Sequence, residues 1–389
     1  MPAYDSIEYF TTNLPAVEGD FVCTLPDFPN VTIERKTFRG GPSDGVELFV
    51  LSNGSLSVYV MPTRGMGIWK VEVKQGNDSV RVGWNSPVPF PVNPRNAPLD
   101  QPDGLGWLRG FNEFVARCGL ESNGAPEFNA NGTLRFGLHG RIQNTPAFSV
   151  RLVADAEKKE VRLTGRMFEG RLFFNTLELE STLTVPFEGA SFRVDDVVKN
   201  QAARPAEIEL LYHVNTGNPV ADGGARMEIP FERLVPRCPW AAKNLETVAE
   251  LHAPVTGEPE MCYYYELAAD ADGNTQTFLR NASGDFGVTL AFSRKEFPFF
   301  CQWKAQHAAQ DGYVTGMEPC INFPNSRAFE RAHGRVAVLE PNSSRHFGIT
   351  FRFSTTPDQV AASSAAVAQL QASVEAPVVE SQPNPDWCE

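Results

Sequence analysis

The chain lacks the sequence features of membrane-spanning and exported proteins. No apolar run approaches the roughly 20 residues that a transmembrane helix requires. Residues 1–8 contain neither the basic segment nor the apolar segment that together begin a secretory signal peptide. The sequence therefore predicts a cytoplasmic protein with no membrane as a partner.

Basic residues are also scarce. The 34 lysines and arginines are outnumbered by 47 aspartates and glutamates, which gives a net charge of −13. Nucleic acids and anionic membranes are bound by dense positive surfaces, because their phosphates must be neutralised. The composition therefore argues against a nucleic-acid partner.

Cysteine is present but shows no pattern that indicates a function. The seven cysteines are odd in number, and no Cys-x-x-Cys occurs among them. Disulfide-stabilised domains and zinc knuckles both depend on regular cysteine spacing. We expect most of these side chains to be buried, reduced thiols.

What the chain has in abundance is the pattern of antiparallel β structure. Hydrophobic residues make up 42% of it, enough for one large core. Apolar residues alternate with polar ones on both sides of Asn53-Gly54, a dipeptide typical of tight hairpin turns. Similar patterns occupy residues 160–198, 276–292 and 336–353. The sequence predicts an all-β fold, a large antiparallel β-sandwich.

The pattern also predicts how the chain is organised. Residues 1–355 are expected to form a single sandwich domain. Six prolines within residues 87–102 interrupt the stretch 83–135, and we expect this irregular stretch to be a long loop that walls a cleft. Thr356 followed by Pro357 is a helix start signal. Residues 356–389 are therefore predicted to be a short C-terminal helix and a tail that is flexible or lies as an arm on the domain.

Three segments combine glycines with side chains suited to a polar ligand: residues 137–146, 212–218 and 316–322. They contain His139, His213 and Glu318, respectively. The first two segments also contain arginine or asparagine side chains beside the histidine. Two histidines and one glutamate therefore stand out as candidates for chemistry.

In this order, the three segments resemble the galactose mutarotase (aldose 1-epimerase) superfamily. Residues 61–68, 106–111 and 118–124 further resemble a poorly characterised bacterial branch of predicted mutarotases, and the resemblance covers residues 40–353. The chain departs from characterised galactose mutarotases at the second histidine. His213 stands in Tyr-His-Val-Asn, where they have Asn-His-Thr-Tyr-Phe.

The resemblance implies a galactose mutarotase-like supersandwich and an isomerase that interconverts the α and β anomers of a small-molecule sugar by ring opening. It implies Glu318 as the base, His213 as the acid, and His139 as a residue that hydrogen-bonds the ring oxygen or a neighbouring hydroxyl. No metal or organic cofactor is implied. We expect these further residues to bind the substrate: Arg64, Arg109, Asn123, Arg141, Asn144, Asn215, Trp303 and Asn322.

Each of these residue types also has a structural interpretation. Glu318 could lie in an exposed turn beside Pro319, His213 could be a satisfied core residue, and His139 could cap a turn. Arginines beside glycine often serve as structural staples. Trp303 could belong to the core.

Three other functions are compatible with parts of the sequence. Asp195-Asp196 or Glu207 with Glu209 could suggest a glycosidase, although neighbours along a strand point to opposite faces. The two histidines and Glu318 could bind a metal, although no compact ligand spacing such as His-x-His occurs. The main alternative is a non-catalytic carbohydrate-binding or regulatory module on the same fold. The sequence leaves open which sugar is bound and whether the protein forms oligomers.

Overall fold

The computed structural model describes residues 7–8 and 19–389. Residues 1–6 and 9–18, which the sequence assigned to the domain, lie outside the described part. β strands dominate it. The strands of the first half are β1 (Ile7–Glu8), β2 (Phe21–Leu25), β3 (Phe28–Thr37), β4 (Glu47–Ser52), β5 (Leu56–Met61), β6 (Gly67–Gln75), β7 (Asp78–Val82), β8 (Val115–Leu120), β9 (Glu127–Phe128), β10 (Leu134–Phe136), β11 (Ser149–Asp155), β12 (Glu160–Gly170), β13 (Thr176–Pro186) and β14 (Ser191–Asn200).

The second half contributes the remaining strands and the three α-helices. The strands are β15 (Ala206–Thr216), β16 (Arg226–Glu228), β17 (Phe231–Pro236), β18 (Met261–Leu267), β19 (Asn274–Arg280), β20 (Gly287–Ser293), β21 (Phe299–Ala305), β22 (Val314–Cys320), β23 (Ala337–Leu339), β24 (Ser344–Ser354) and β25 (Val378–Val379). The helices are α1 (Pro239–Lys243), α2 (Arg327–Ala332) and α3 (Pro357–Ala372).

Two large sheets form the sandwich. A 9-stranded sheet has the order β1-β11-β12-β13-β14-β24-β20-β19-β16. A 14-stranded sheet has the order β2-β3-β4-β5-β6-β8-β15-β22-β21-β18-β17-β25. Its two further strands lie off this path: β7 pairs with β6, and β23 pairs with β15. Buried side chains of both sheets, such as Val58 and Leu163, belong to one hydrophobic core. The predicted all-β sandwich is confirmed.

Local sequence signals explain the hairpins. The Asn53 side chain accepts hydrogen bonds from the backbone N–H groups of Ser55 and Leu56, and Gly54 adopts the left-handed conformation that the turn requires. In β12, alternate residues are buried, as period-two patterning predicts.

The predicted irregular stretch, residues 83–135, contains strands that the prediction missed: β8, the short β9 and the start of β10. β8 lies in the middle of the larger sheet, between β6 and β15, and all six of its residues are buried. A strand covered on both faces shows no alternation in its sequence. The rest of the stretch is largely turns and short 3-10 helices, as expected.

Helix α3 packs against β19 and β24 of the smaller sheet, and the residues after it lie against the larger sheet. Helix α3 begins as predicted, with Thr356 accepting a hydrogen bond from the Gln359 N–H. After it, β25 pairs with β17, and the Trp387 ring packs against Phe323. The tail thus takes the geometry of an arm. None of the helices in residues 19–389 has the length and apolar character needed to cross a bilayer.

Candidate functional site

The larger sheet turns one face toward the core and the other toward a cavity of about 590 Å³. The neighbours Tyr212 and His213 on β15 mark these two faces, because successive strand residues point to opposite sides. The Tyr212 hydroxyl donates to Asp196 of the smaller sheet, 2.5 Å away. His213 points the other way and lines the cavity.

Strand register places the second candidate beside the first. Val214 of β15 pairs with Met317 of β22, which brings His213 opposite Glu318. His213 Nε2 lies 3.3 Å from Glu318 Oε1. Both side chains are almost fully buried, yet Glu318 Oε1 has no well-aligned hydrogen-bond partner in the described part of the chain. The carboxyl group is thus held close to the imidazole without being saturated by the protein.

Glu318 lies in a central strand and not in a turn, although Pro319 follows it. Its neighbour on β21 is Cys301, which also lines the cavity. Pro319 is part of the same strand although it lacks the N–H that a central strand normally donates, and Glu318 is buried. The interpretation of Glu318 as an exposed turn residue is therefore excluded.

His139 reaches the same cavity from a loop. Its backbone adopts φ +57°, a left-handed conformation that is uncommon for residues other than glycine. Backbone hydrogen bonds from His139 to Gly124, 2.9 Å, and from Gly119 to His139, 3.1 Å, hold it there. The His139 and His213 ring centroids are 5.5 Å apart. Such an imposed conformation is typical of a residue whose position matters for function.

Hydrogen bonds on the far side of each ring fix its neutral tautomer. His139 Nδ1 lies 2.8 Å from the Asn123 carbonyl oxygen, and His213 Nδ1 lies 2.5 Å from Asn215 Oδ1. Asn215 Nδ2 donates to the Glu113 and His213 carbonyls, so its Oδ1 is the acceptor. Both Nδ1 atoms must therefore carry hydrogen, and both Nε2 atoms face the cavity with a lone pair when the ring is neutral.

Burial sets the protonation of the three groups. It raises the pKa of Glu318 to about 8. Burial lowers the pKa of His139 to about 4, and burial together with the nearby His139 holds the pKa of His213 well below its usual value. At neutral pH the site therefore holds neutral imidazoles beside a carboxyl group that retains its proton.

Aromatic rings form much of the cavity wall. The rings of Trp107 and His139 are 4.7 Å apart, and Phe111 and Trp303 each lie 5.1 Å from His213. Trp84 also lines the cavity. Flat apolar walls around a few polar groups suit a ring whose C–H faces are apolar and whose edges carry hydroxyls.

Comparison with known proteins identifies the family. The model of the family described as "Domain of unknown function (DUF4432)" matches residues 43–353. The chain belongs to the DUF4432 family. It is 31% identical to a protein of Klebsiella pneumoniae described as a "putative aldose 1-epimerase", over 95% of both chains and with a TM-score of 0.88.

More distant structures share the fold. A galactose mutarotase-like protein of Clostridium acetobutylicum has 14% identity and a TM-score of 0.57, over 84% of this chain and 99% of its own. No curated protein sequence matches the chain. The resemblance to the galactose mutarotase-like superfamily is thus confirmed, with the DUF4432 family as the branch to which the chain belongs.

The structure separates the predicted binding residues of this DUF4432 protein into three groups. Trp303 lines the cavity, and Asn215 lies directly behind His213. Asn123 and Asn322 are fully buried and bond to each other behind His139 through Asn123 Nδ2 and Asn322 Oδ1, 3.0 Å apart. These four residues thus lie in or directly behind the site.

The four remaining candidates do not line the cavity. Arg64 is buried, forms an ion pair of 2.7 Å with Glu113 and donates to Asn144. This is the geometry of the structural staple. Arg109 and Arg141 are exposed. An arginine in or beside a family-like segment therefore need not line the cavity.

Sequence reasoning missed several residues that do line the cavity: Trp84, Trp107, Phe111, Arg237, Glu260 and His307. Residues 106–111 were recognised as a motif, but Arg109 was chosen from it instead of the two aromatic rings. His307 lies outside the three segments that resemble the family. Arg237 and Glu260 stand in no motif that could have singled them out.

The arrangement does not have the geometry of a metal centre. No group of three or more His, Cys, Asp or Glu side chains in residues 19–389 is placed so that it could hold an ion. The Glu318 carboxyl oxygen lies 3.3 Å from His213 Nε2, which is a distance of direct contact between the two groups.

Proposed function

We propose that this DUF4432 protein is an aldose 1-epimerase-type isomerase that interconverts the α and β anomers of a sugar. The observation that carries the proposal is the meeting of Glu318, His213 and His139 in one aromatic-walled cavity. The fold of the relatives supports it. The substrate is a small-molecule sugar in its cyclic form.

The reaction needs one base and one acid at the two oxygens bonded to C1, the anomeric hydroxyl and the ring oxygen. The Glu318 carboxylate takes the proton of the anomeric hydroxyl, and the electron pair of that O–H bond forms the C1 carbonyl. The bond between C1 and the ring oxygen breaks, and that oxygen takes a proton from His213 Nε2. Rotation about C1–C2 and the reverse steps then close the other anomer.

The 3.3 Å contact between His213 and Glu318 explains how a buried site can supply both groups. Glu318 and His213 need only one proton between them. When that proton moves from the Glu318 carboxyl group to His213 Nε2, the neutral pair becomes the carboxylate and imidazolium that the reaction needs. Coupled groups of this kind titrate together, so the proton belongs to the pair. The bond from Nδ1 to Asn215 stabilises the imidazolium form.

His139 is proposed as a binding residue. Its ring meets the cavity edge-on between Trp107 and His213, and its neutral Nε2 accepts a hydrogen bond from a sugar hydroxyl. Burial lowers the pKa of His139 to about 4, so its ring is neutral at neutral pH and its Nε2 is an acceptor. Trp303 is proposed to pack against the sugar's apolar face.

The test is a panel of freshly dissolved single anomers, followed by NMR exchange spectroscopy or polarimetry. We expect wild-type protein to accelerate exchange for at least one aldose above the spontaneous rate in the same buffer. His213→Asn and Glu318→Gln provide matched proteins of nearly unchanged size. Tight binding of an aldose without acceleration by the wild type would favour the carbohydrate-binding module instead.

A further inference from the structure

One carboxyl group on the cavity face of the larger sheet takes no part in the proposed reaction. Glu209 and His213 stand four residues apart on β15, so their side chains point to the same side of the strand. Glu209 is nonetheless fully buried and does not line the cavity. The segment that follows β8 covers it, since the Asn123 N–H donates to Glu209 Oε2 at 3.0 Å. Glu209 therefore cannot touch a sugar, and any role in the reaction must act through another residue.

Both carboxyl oxygens of Glu209 accept hydrogen bonds from segments beside the site. Oε2 accepts from the Asn123 N–H, and Oε1 accepts from Asn322 Nδ2 at 3.2 Å. No ion pair within the described residues involves Glu209, and Arg327, whose charge acts on it, pairs with Glu207 instead at 2.7 Å. A buried carboxyl group without a cation is costly unless hydrogen bonds compensate for it. These two bonds therefore hold Glu209 in place, and they also hold the two asparagines.

Asn123 in turn holds His139. Its carbonyl oxygen accepts a hydrogen bond from His139 Nδ1 at 2.8 Å, and the carbonyl of the next residue, Gly124, accepts from the His139 N–H at 2.9 Å. The first bond keeps the hydrogen on Nδ1 and the lone pair on Nε2. The second helps to impose the left-handed backbone of His139, φ +57°, which persists only where its surroundings enforce it. The tautomer and the position of His139 thus both depend on the backbone that Glu209 anchors.

A second buried carboxyl group provides the comparison. Glu169 on β12 accepts hydrogen bonds from the N–H groups of Leu120 and Glu121, at 3.3 and 2.9 Å. It therefore anchors the same segment from the smaller sheet. Of the two carboxyl groups, only Glu209 bonds to Asn123, the residue whose carbonyl accepts from the His139 ring.

We propose that Glu209 is a positioning residue for His139. Through the Asn123 backbone, it fixes the carbonyl that keeps the hydrogen on His139 Nδ1, and so presents Nε2 as the acceptor for a sugar hydroxyl. This inference rests on the proposed function, in which His139 binds the substrate, and adds the residue that orders His139 before the sugar arrives. Such preorganisation strengthens binding, because the group need not be ordered when the ligand binds.

The experiment removes the carboxyl group while preserving most of the bulk of the side chain. Glu209→Leu leaves the Asn123 N–H and the Asn322 amide without their acceptor. We expect KM for anomer exchange, and Kd from calorimetry, to rise about 3- to 10-fold, as for the loss of one hydrogen bond, while kcat changes less than about two-fold. Nitrogen-15 NMR of the imidazole should show the His139 hydrogen divided between Nδ1 and Nε2, whereas in wild type it resides on Nδ1.

Glu209→Gln is the conservative variant. Burial raises the pKa of Glu209 to about 8, so the group is neutral at neutral pH, and an amide of the same size keeps an acceptor oxygen for Asn123. We expect its KM to stay within about two-fold of wild type and its His139 NMR spectrum to stay unchanged. Glu209→Asp is used if Glu209→Leu does not fold, and it should raise KM, because the shorter side chain draws the acceptor away from Asn123.

Two comparisons separate positioning from a general loss of stability. Glu169→Leu also removes a buried carboxyl acceptor from the segment, so it should lower the melting temperature by a similar amount but leave KM within about two-fold of wild type. In a His139→Ala background, Glu209→Leu should change KM by less than a further factor of about two, because a residue that acts through His139 has no effect once that ring is absent.

The outcomes distinguish this inference from the proposed function. Suppose that wild type exchanges anomers but Glu209→Leu keeps its KM, that Glu169→Leu raises KM equally, or that the loss persists in the His139→Ala background. Each of these results would overturn the positioning role and leave the epimerase intact. If wild type binds a sugar without exchanging its anomers, the epimerase is overturned, and the Kd and NMR measurements still decide whether Glu209 positions His139.

Discussion

Two buried polar clusters occupy opposite faces of the same strands. The inter-sheet cluster consists of Arg117, Asp196, Tyr212 and Ser181, and the cavity cluster consists of His139, His213 and Glu318. Tyr212 and His213 are neighbours on β15, so the strand alone decides which cluster each joins. The clusters differ in how completely their polar atoms are satisfied.

In the inter-sheet cluster the protein supplies the partners. Arg117 pairs with both carboxylate oxygens of Asp196, donates to Ser181 Oγ at 2.7 Å, and reaches the Gly65 and Met66 carbonyls at 3.2 and 3.1 Å. In the cavity cluster, Glu318 Oε1 lacks a well-aligned partner, and the rings of His139 and His213 line the cavity. Complete satisfaction is typical of a structural network, and incomplete satisfaction leaves bonding capacity for a ligand.

The largest effect should come from removing the carboxylate of the cavity cluster. Glu318→Gln keeps the size of the side chain but cannot accept the anomeric proton, so anomer exchange should fall by roughly 10²–10⁴-fold. Sugar binding and the melting temperature should change little, because the protein leaves Oε1 without a well-aligned bond. Exchange kinetics, calorimetry and thermal melting measure the three quantities. Full activity in this variant would remove Glu318 from the mechanism.

The inter-sheet cluster should respond in the opposite way. Asp196→Ala leaves the Arg117 charge buried without its partner, which should lower the free energy of unfolding by about 3–5 kcal/mol. Asp195→Ala is the matched control, because Asp195 is the adjacent residue and its pair with Arg193 is partly exposed. It should cost about 1 kcal/mol or less. Chemical denaturation measures both, and similar losses would contradict the assignment of the two faces.

The pH dependence sharpens the distinction within the cavity cluster. Burial raises the pKa of Glu318 to about 8, and His213 titrates well below its usual value, so the pair holds one proton between these limits. Exchange should therefore be constant around neutral pH and decline as the pair loses that proton above about pH 8. The measurement is kcat/KM for exchange across pH 5–10, corrected for the spontaneous rate. A rate that instead rises through pH 8 would mean that His213 is not the acid.

The sequence predicted those parts of the fold that depend on local signals. The Asn53-Gly54 turn and the Thr356 helix start required only a few neighbouring residues. β8 was missed because both of its faces are covered, which removes the alternation by which strands are recognised. Prediction therefore failed where long-range packing replaces local pattern.

The same distinction applies to the site. Resemblance to a family pointed to His139, His213 and Glu318, and the structure brings these three together. It could not assign the arginines, because the partner of Arg64 is Glu113, which is 49 positions away in the chain. Nor could it find Arg237, whose place in the cavity is set by the pairing of β17 with β18. Strand order decides which arginine lines the cavity, and strand order cannot be read from local sequence.

The smallest effect should follow from changing an arginine that sequence reasoning had favoured. Arg141 pairs with Asp100 at the surface, and both side chains are more than half exposed. Arg141→Ala should therefore change the free energy of unfolding by about 1 kcal/mol or less. Since Arg141 does not line the cavity, sugar affinity should stay within about two-fold, as measured by calorimetry beside a thermal melt. A loss of affinity of ten-fold or more at an unchanged melting temperature would contradict this prediction. It would mean that the loop bearing His139 moves on binding and brings Arg141 into contact with the sugar.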